Sequence, residues 1–291
     1  MEKLCDLHAH SYYSDGSYSP AQLIREAETV GLSAVVLSDH NTVAGLPEFV
    51  AAAEAASVEA VAGIEFSTEY KGSELHILGL FVLPENYGPI QQVLEDFLIR
   101  KEKSNRALIA ALNREGLALD YDEIAAKAAG KINRAVIAQE MVRLGYCESV
   151  KQAFSQWLSV ELGIYVPPLR PDAFETIRFI KSLGCAAVLA HPFLNLDEKE
   201  LRIFLKDAKE AGLDGMEVYY SRYDDATTAL AAQITEEYGI LPSGGSDFHG
   251  AAKPDIALGS GVGDLRIPFS VLERLKVCAP NAQRSFAGTK Q

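Results

Sequence analysis

The chain has 291 residues, 48% of them apolar and 23% charged, so a fibre, a disulfide-stapled mini-protein and a disordered tail are excluded. Its 27 basic and 40 acidic residues give a formal net charge of −13, which disfavours a general duplex-binding surface, since long polyanions are repelled unless cations are concentrated locally. The four cysteines (Cys5, Cys147, Cys185, Cys278) lack CxxC spacing and suit a reducing compartment, with Cys5 and Cys185 as small buried hydrophobes. Met1 to His10 has no apolar signal-peptide core, and the run Cys185 to Ala190 is too short to cross a bilayer, so a cytoplasmic protein without membrane partners is expected.

Short β-branched or apolar runs alternate with helical stretches, the pattern of parallel β/α units. The predicted strands are Lys3 to Leu7, Ser33 to Ser38, Ala60 to Ile64, His76 to Val82, Ala186 to Ala190, Gly215 to Tyr219 and Ile240 to Pro242. Ser19 and Pro20 start a helix that Gly31 ends, and Pro171 to Ser182 forms another, ended by Gly184. From Pro89 to Pro168 only helical segments appear: Ile90 to Glu115, Tyr121 to Ala129, Arg134 to Leu144 and Val150 to Leu158. The expected organisation is a barrel over residues 1–88 and 169–291 with a helical insertion over 89–168.

The chain has six histidines, each in or just after a strand-like run. His8 and His10 sit in Asp6-Leu7-His8-Ala9-His10, where extended backbone sends both imidazoles to one side. His40 ends the second strand, His76 lies in the fourth, and His191 and His249 follow the fifth and seventh. Carboxylates take matching positions: Asp15 before Gly16, Glu65 after Ile64, and Asp247 two residues before His249. In a β/α barrel the working face lies at the carboxyl ends of the strands. Nine imidazole and carboxylate groups exceed what one tetrahedral ion uses, so two or three divalent metals are expected, of the Zn, Mn or Fe type. Glu65 is the expected bridge between ions. A lone histidine at a strand end is more often structural than ligating, and Asp15 alone is nearly as well explained as a turn residue. Asp39 is expected to buttress an imidazole and Asp6 to be a strand-edge polar residue.

His8-Ala9-His10 with Asp15-Gly16, Ser38-Asp39-His40-Asn41-Thr42, Gly63-Ile64-Glu65, Glu74-Leu75-His76-Ile77-Leu78-Gly79, Ala190-His191-Pro192 and Gly245-Ser246-Asp247-Phe248-His249-Gly250 together resemble the polymerase and histidinol phosphatase (PHP) superfamily of metal-dependent phosphoesterases. The resemblance spans His8 to Gly250. It implies an α/β fold, a distorted seven-stranded (β/α) barrel with an inserted α-helical subdomain. It further implies His8, His10, Glu65 and Asp247 on one ion, Glu65, His76 and His191 on a second, and Asp15, His40 and His249 on a third.

The helical insertion resembles the stand-alone bacterial branch of that superfamily, which hydrolyses 3',5'-bisphosphonucleosides and short 5'-phosphorylated oligonucleotides. Where that branch commonly reads Gly-Arg-Pro-His-Ile-Ala-Arg, this chain reads Asn133-Arg134-Ala135-Val136-Ile137-Ala138-Gln139. Arg134 is kept, while Val136 and Gln139 depart and leave the substrate open. Arg134 at a helix start suits a phosphate clamp, and Tyr165 suits base stacking, a position where packing is the commoner use. Arg222 and Lys253 follow strand ends and are candidates for a second phosphate. The expected chemistry is attack of metal-activated hydroxide on phosphorus, with the developing charge met by another ion or Arg134 and the leaving group protonated by metal-held water or by His191. Two alternatives stand beside a nucleotide phosphoesterase: a histidinol-phosphate-type phosphomonoesterase, and a metal-binding module whose catalysis has lapsed.

Overall fold

The computed structural model describes residues 3–128 and 132–285. The predicted end of the second insertion helix at Ala129, the expected outer bounds at residues 1 and 291, and the first two residues of the N-terminal stretch lie outside them. Among the described residues seven strands follow one another around a single sheet in chain order. They are β1 (Cys5–Asp6), β2 (Ala34–Leu37), β3 (Glu59–Tyr70), β4 (Ser73–Leu80), β5 (Ala186–Ala190), β6 (Gly215–Tyr220) and β7 (Leu241–Gly245). The ends meet where Leu7 N donates to the Gly244 carbonyl at 3.2 Å and Ala9 bridges Phe248 in parallel, which nearly closes the barrel.

The pairing departs from the expected all-parallel alternation at one strand. β4 runs antiparallel to both β3 and β5, joined to β3 through Lys71 and Gly72, whose φ angles of 49° and 84° give a tight turn with both central residues left-handed. β3 continues to Tyr70, well past its predicted end at Ile64. The reversal has a functional consequence. His76, near the start of β4, pairs with Ala190 at the end of β5 and so reaches the barrel rim formed by the carboxyl ends of the parallel strands.

Strand periodicity divides the sheet into two faces. Ala34, Val36, Leu78, Leu80, Ala186 and Val188 pack with Leu272 and Leu275 of the helix Phe269–Lys276. Their neighbours Val35, Leu37, Ile64, Phe66, Ile77 and Leu189 pack in a larger cluster with Leu23, Ile177 and Phe204 of the surrounding helices. Residues of the first parity that lie nearer the rim, Glu65, His76 and Glu217, therefore face the barrel axis.

The predicted capping is present: Ser19 and Gln22 form a reciprocal capping box for α1 (Pro20–Thr29), and Gly31 and Gly184 have positive φ beyond α1 and α7 (Ala173–Ser182). Between β4 and α7, α3 (Tyr87–Arg114), α4 (Tyr121–Lys127), α5 (Arg134–Arg143) and α6 (Val150–Ala153) occur, the last continuing in a π-helical turn over Phe154–Leu158. The first half of α3 buries Ile90, Leu94 and Phe97 in the barrel's outer core. Its second half buries Leu108, Ile109 and Leu112 with Ile124, Ile137, Met141 and Leu158 in a core belonging to the helical segment. No helix of the described residues is long and apolar enough to cross a membrane. Cys5 and Cys185 are buried free thiols, as expected.

Candidate metal centre

Most groups of the predicted constellation are carried to the rim on strands or just beyond their ends, and Asp15 by the loop between β1 and α1. His8 and His10 leave β1 on the same side, with their Nε2 atoms 3.0 Å apart. His40 sits where its loop is tied to β3: Glu65 N donates to the Asp39 carbonyl, Asn41 N to the Glu65 carbonyl, and Asn41 exchanges side-chain bonds with Ser67. His191 and Asp247 have φ of 31° and 57°, and Asn41, next to His40, has 52°. A left-handed non-glycine backbone costs of order 1–3 kcal/mol per residue. Here it turns the strand-end side chains over the barrel mouth.

Glu65 is the hub. Its Oε1 lies 2.7 Å from His76 Nδ1 and 3.1 Å from His191 Nε2. Its Oε2 lies 3.1, 3.2 and 3.0 Å from His8 Nε2, His10 Nε2 and His40 Nδ1. Asp247 Oδ1 stands 3.3 Å from His10 Nε2 and 3.4 Å from His249 Nδ1, and Asp15 Oδ1 stands 3.2 Å from His249 Nε2. All nine predicted groups thus lie in one hollow. Four overlapping sets have donor atoms close enough to share an ion: His10, Asp15, His40 and His249; His8, Glu65 and His191; His8, His10 and Asp247; and His40, Glu65 and His76.

Three further acids hold this array, and sequence reasoning missed or misassigned them. Glu217, fully buried on β6, accepts from His8 Nδ1 at 2.9 Å through Oε1 and from His191 N at 2.6 Å through Oε2. Its signal was an acid between Met216 and Val218 with the inward parity of the strand. Asp6, expected at a strand edge, is instead fully buried. It accepts from Ser246 N (2.9 Å), Ser246 Oγ (2.5 Å), Gly259 N (2.8 Å) and His8 N (3.3 Å), because the barrel seam puts β7's end against β1. Asp39, expected to buttress an imidazole, accepts from Ser11 N, Ser11 Oγ and Ser14 Oγ, and so fixes the loop that carries Asp15.

The electrostatics favour cations. Burial is the largest influence on Glu65, Asp15 and Asp247 and pushes each carboxyl up, but the surrounding imidazoles, and Lys253 for Asp247, outweigh it and hold all three well below the usual carboxylate range. The reciprocal effect overcomes burial at His10, raised to about 9 beside Asp247 and Glu65, and at His76, raised to about 10 beside Glu65. Burial wins at His40, pushed down to about 3. Three buried carboxylates call for positive charge there, which divalent ions would supply. Buried atoms without a hydrogen-bond partner point the same way: His10 Nδ1, Asp15 Oδ1, His40 Nδ1, Glu65 Oε2 and His191 Nδ1 all belong to the array. A nitrogen and oxygen donor set without thiolate fits Mn, Fe or Zn.

Two adjoining hollows open above these groups, of about 180 and 480 Å³. The smaller is bordered by Arg134, Tyr165, Arg170 and Lys101, the larger by Arg134, Arg222 and Lys253. Arg134 opens α5 as predicted, and its guanidinium lies 4.5 Å over the Tyr165 ring while donating to the Leu158 carbonyl. Tyr165, a candidate for base stacking where packing is the commoner use, is 6% exposed with one face taken by Arg134, so it seats the arginine. Lys253 Nζ is 2.7 Å from Asp247 Oδ2, which also accepts from Tyr220 OH, and Arg222 pairs with Asp255. Arg170, which sequence reasoning passed over, pairs with Glu74 beside His76, and its Nε is buried without a partner. Val136 and Gln139 line a separate crevice of about 460 Å³ against Tyr12 and Gly16.

Residues 6–160 match the PHP domain family. The chain is 32% identical to a 5'-3' exoribonuclease of Haemophilus influenzae over 86% of its length and 91% of that protein's. It is 27% identical to a 3',5'-nucleoside bisphosphate phosphatase of Chromobacterium violaceum over 84% and 86%. A crystal structure from Bifidobacterium adolescentis assigned as a metal-dependent phosphoesterase superposes with a TM-score of 0.84 at 25% identity, covering 95% of this chain and 96% of that one.

Proposed function

Because the chain belongs to the PHP domain family, we propose that it is a metal-dependent phosphoesterase that hydrolyses phosphate esters of nucleotides, with 3',5'-bisphosphonucleosides or short 5'-phosphorylated oligonucleotides as its substrate class. The observation that carries the reading is Glu65, whose two oxygens face different imidazoles at the floor of a cleft edged by arginines. In this reading His8, His10, Asp15, His40, Glu65, His76, His191, Asp247 and His249 hold two or three divalent ions, with Glu65 as the shared ligand. When bound, such ions neutralise a phosphate ester and lower the pKa of water beside it.

The chain's own groups do the rest. Arg134, supported from below by Tyr165, presents guanidinium N–H groups toward the hollow over His40 and His76, where a phosphoryl oxygen is met by a charge-assisted bond. Arg170 enters the same hollow, and Arg222 and Lys253 edge the other, so a second phosphate has cationic partners on either side. Glu217 keeps the His8 proton on Nδ1, leaving Nε2 free to face Glu65 and an ion. His191 Nε2 lies 3.1 Å from Glu65 Oε1, which supports a ligand's role for it.

This arginine-rich rim favours a doubly phosphorylated substrate over an aminoalcohol phosphate such as histidinol phosphate, whose ammonium it would repel. The test is a hydrolysis panel with Mn²⁺ comparing bisphosphonucleosides, 5'-phosphorylated short RNA and histidinol phosphate. Preference for the nucleotides is expected. Histidinol phosphate turning over faster than every nucleotide would overturn the substrate class, and a protein that binds ions but cleaves none of the panel would be a lapsed binding module.

A further inference from the structure

We infer that Asn133 is a positioning residue that couples the helical insertion to the metal centre, through a single side chain that caps α5 and holds Asp15. The inference rests on the ligand role proposed for Asp15. Asn133 is the N-cap of α5, and its Oδ1 accepts from Val136 N at 2.9 Å. That bond fixes the orientation of the amide, because only the oxygen accepts. Nδ2 is thereby pointed across to the barrel, where it donates to Asp15 Oδ2 at 3.1 Å, a contact between residues 118 apart in sequence.

The bond decides how Asp15 is presented. With Oδ2 held by Asn133, Oδ1 faces His249 Nε2 at 3.2 Å and is left buried without a hydrogen-bond partner, the state of an oxygen available to a cation. Oδ2 stays 3.8 Å from His40 Nε2, at the edge of the group. The next residue is Arg134, so one helix start carries both the brace on Asp15 and the guanidinium over the substrate hollow. Occupation of the His10, Asp15, His40 and His249 group and seating of α5 then favour one another, and the favour is reciprocal.

Asn133→Ser separates the two tasks, since serine caps a helix about as well as asparagine but is too short to reach Asp15 once its hydroxyl faces Val136 N. Three proteins are compared, the unchanged chain, Asn133→Ser and Asp15→Asn, by Mn²⁺ titration calorimetry, by melting in chelator, and by hydrogen exchange of α5 with and without Mn²⁺. Asp15→Asn is expected to lose the ion that depends on Asp15. Asn133→Ser is expected to keep a cooperative melt in chelator, lowered only modestly by the partner lost at Asp15 Oδ2, to bind that same ion about 10- to 100-fold more weakly, and to lose the slowing of α5 exchange that Mn²⁺ produces in the unchanged chain. If Asp15→Asn binds Mn²⁺ undiminished, the ligand reading itself fails and takes the inference with it. If Asp15→Asn loses its ion while Asn133→Ser keeps full affinity and Mn²⁺-dependent protection of α5, Asn133 is a helix cap alone and the coupling is refuted.

Discussion

Glu217→Gln probes the array with little change of shape. The carboxylate is wholly buried and satisfies two donors, His8 Nδ1 at 2.9 Å and His191 N at 2.6 Å. A glutamine has one accepting oxygen, so its amide nitrogen must confront one of the two. If the oxygen stays with His191 N, the amide forces His8 to accept at Nδ1 and carry its proton on Nε2, the atom that faces Glu65 and the proposed ions. If the oxygen stays with His8, the His191 N–H is left buried and unmade. An unsatisfied buried donor costs about 1–3 kcal/mol, and loss of a bond that fixes a ligating imidazole costs about 10- to 100-fold in metal affinity. Melting in chelator is therefore expected to fall by about 2–5 °C for a chain of this size, and calorimetry with Mn²⁺ should show the affinity loss. Wild-type melting together with wild-type Mn²⁺ affinity would refute the brace.

Asp6→Asn should destabilise by about 2–4 kcal/mol, since an amide cannot accept from all four donors that Asp6 now serves at the β1–β7 seam; urea unfolding reads it, and an unchanged midpoint would contradict it. Gly245→Ala places a Cβ 2.2 Å from His8 Cβ and 2.5 Å from His8 N, so β1 must move and carry His8 with it. A stability loss of about 1–3 kcal/mol accompanied by weaker Mn²⁺ binding is expected, and unfolding and metal titration measure it. Arg134→Ala should lower kcat/KM on phosphate substrates about 10- to 100-fold, the worth of about 1.5–3 kcal/mol for a bond to a charged group, while Mn²⁺ binding stays intact.

Most of the metal ligands were legible because they lie at or near a strand end, where local pattern and chemistry coincide: His8-Ala9-His10, Ala190-His191-Pro192 and Gly245 to His249 all announce themselves in a few residues, whereas Asp15 in its turn does not. The reversal of β4 was written locally too, in Lys71-Gly72, but reading β3 as ended at Ile64 hid the hairpin by leaving residues 65–75 unassigned. What brace a buried acid provides was not legible. Asp6 meets Ser246 and Gly259 some 240 residues away, and Glu217 meets His8 across 209, partners that only barrel closure supplies. Of the two uses open to Tyr165, base stacking and packing, the sequence could not name its partner: its own neighbourhood is proline-rich loop, whereas the guanidinium covering its ring comes from α5.

The most direct trial is anomalous diffraction from crystals grown with Mn²⁺. Two or three peaks are expected, with one oxygen of Glu65 on each of two neighbouring ions and His8, His76, His191 and Asp247 arranged around them. Density without an ion within bonding reach of Glu65, or manganese bound only elsewhere on the surface, would contradict a hydrolytic centre built on that glutamate.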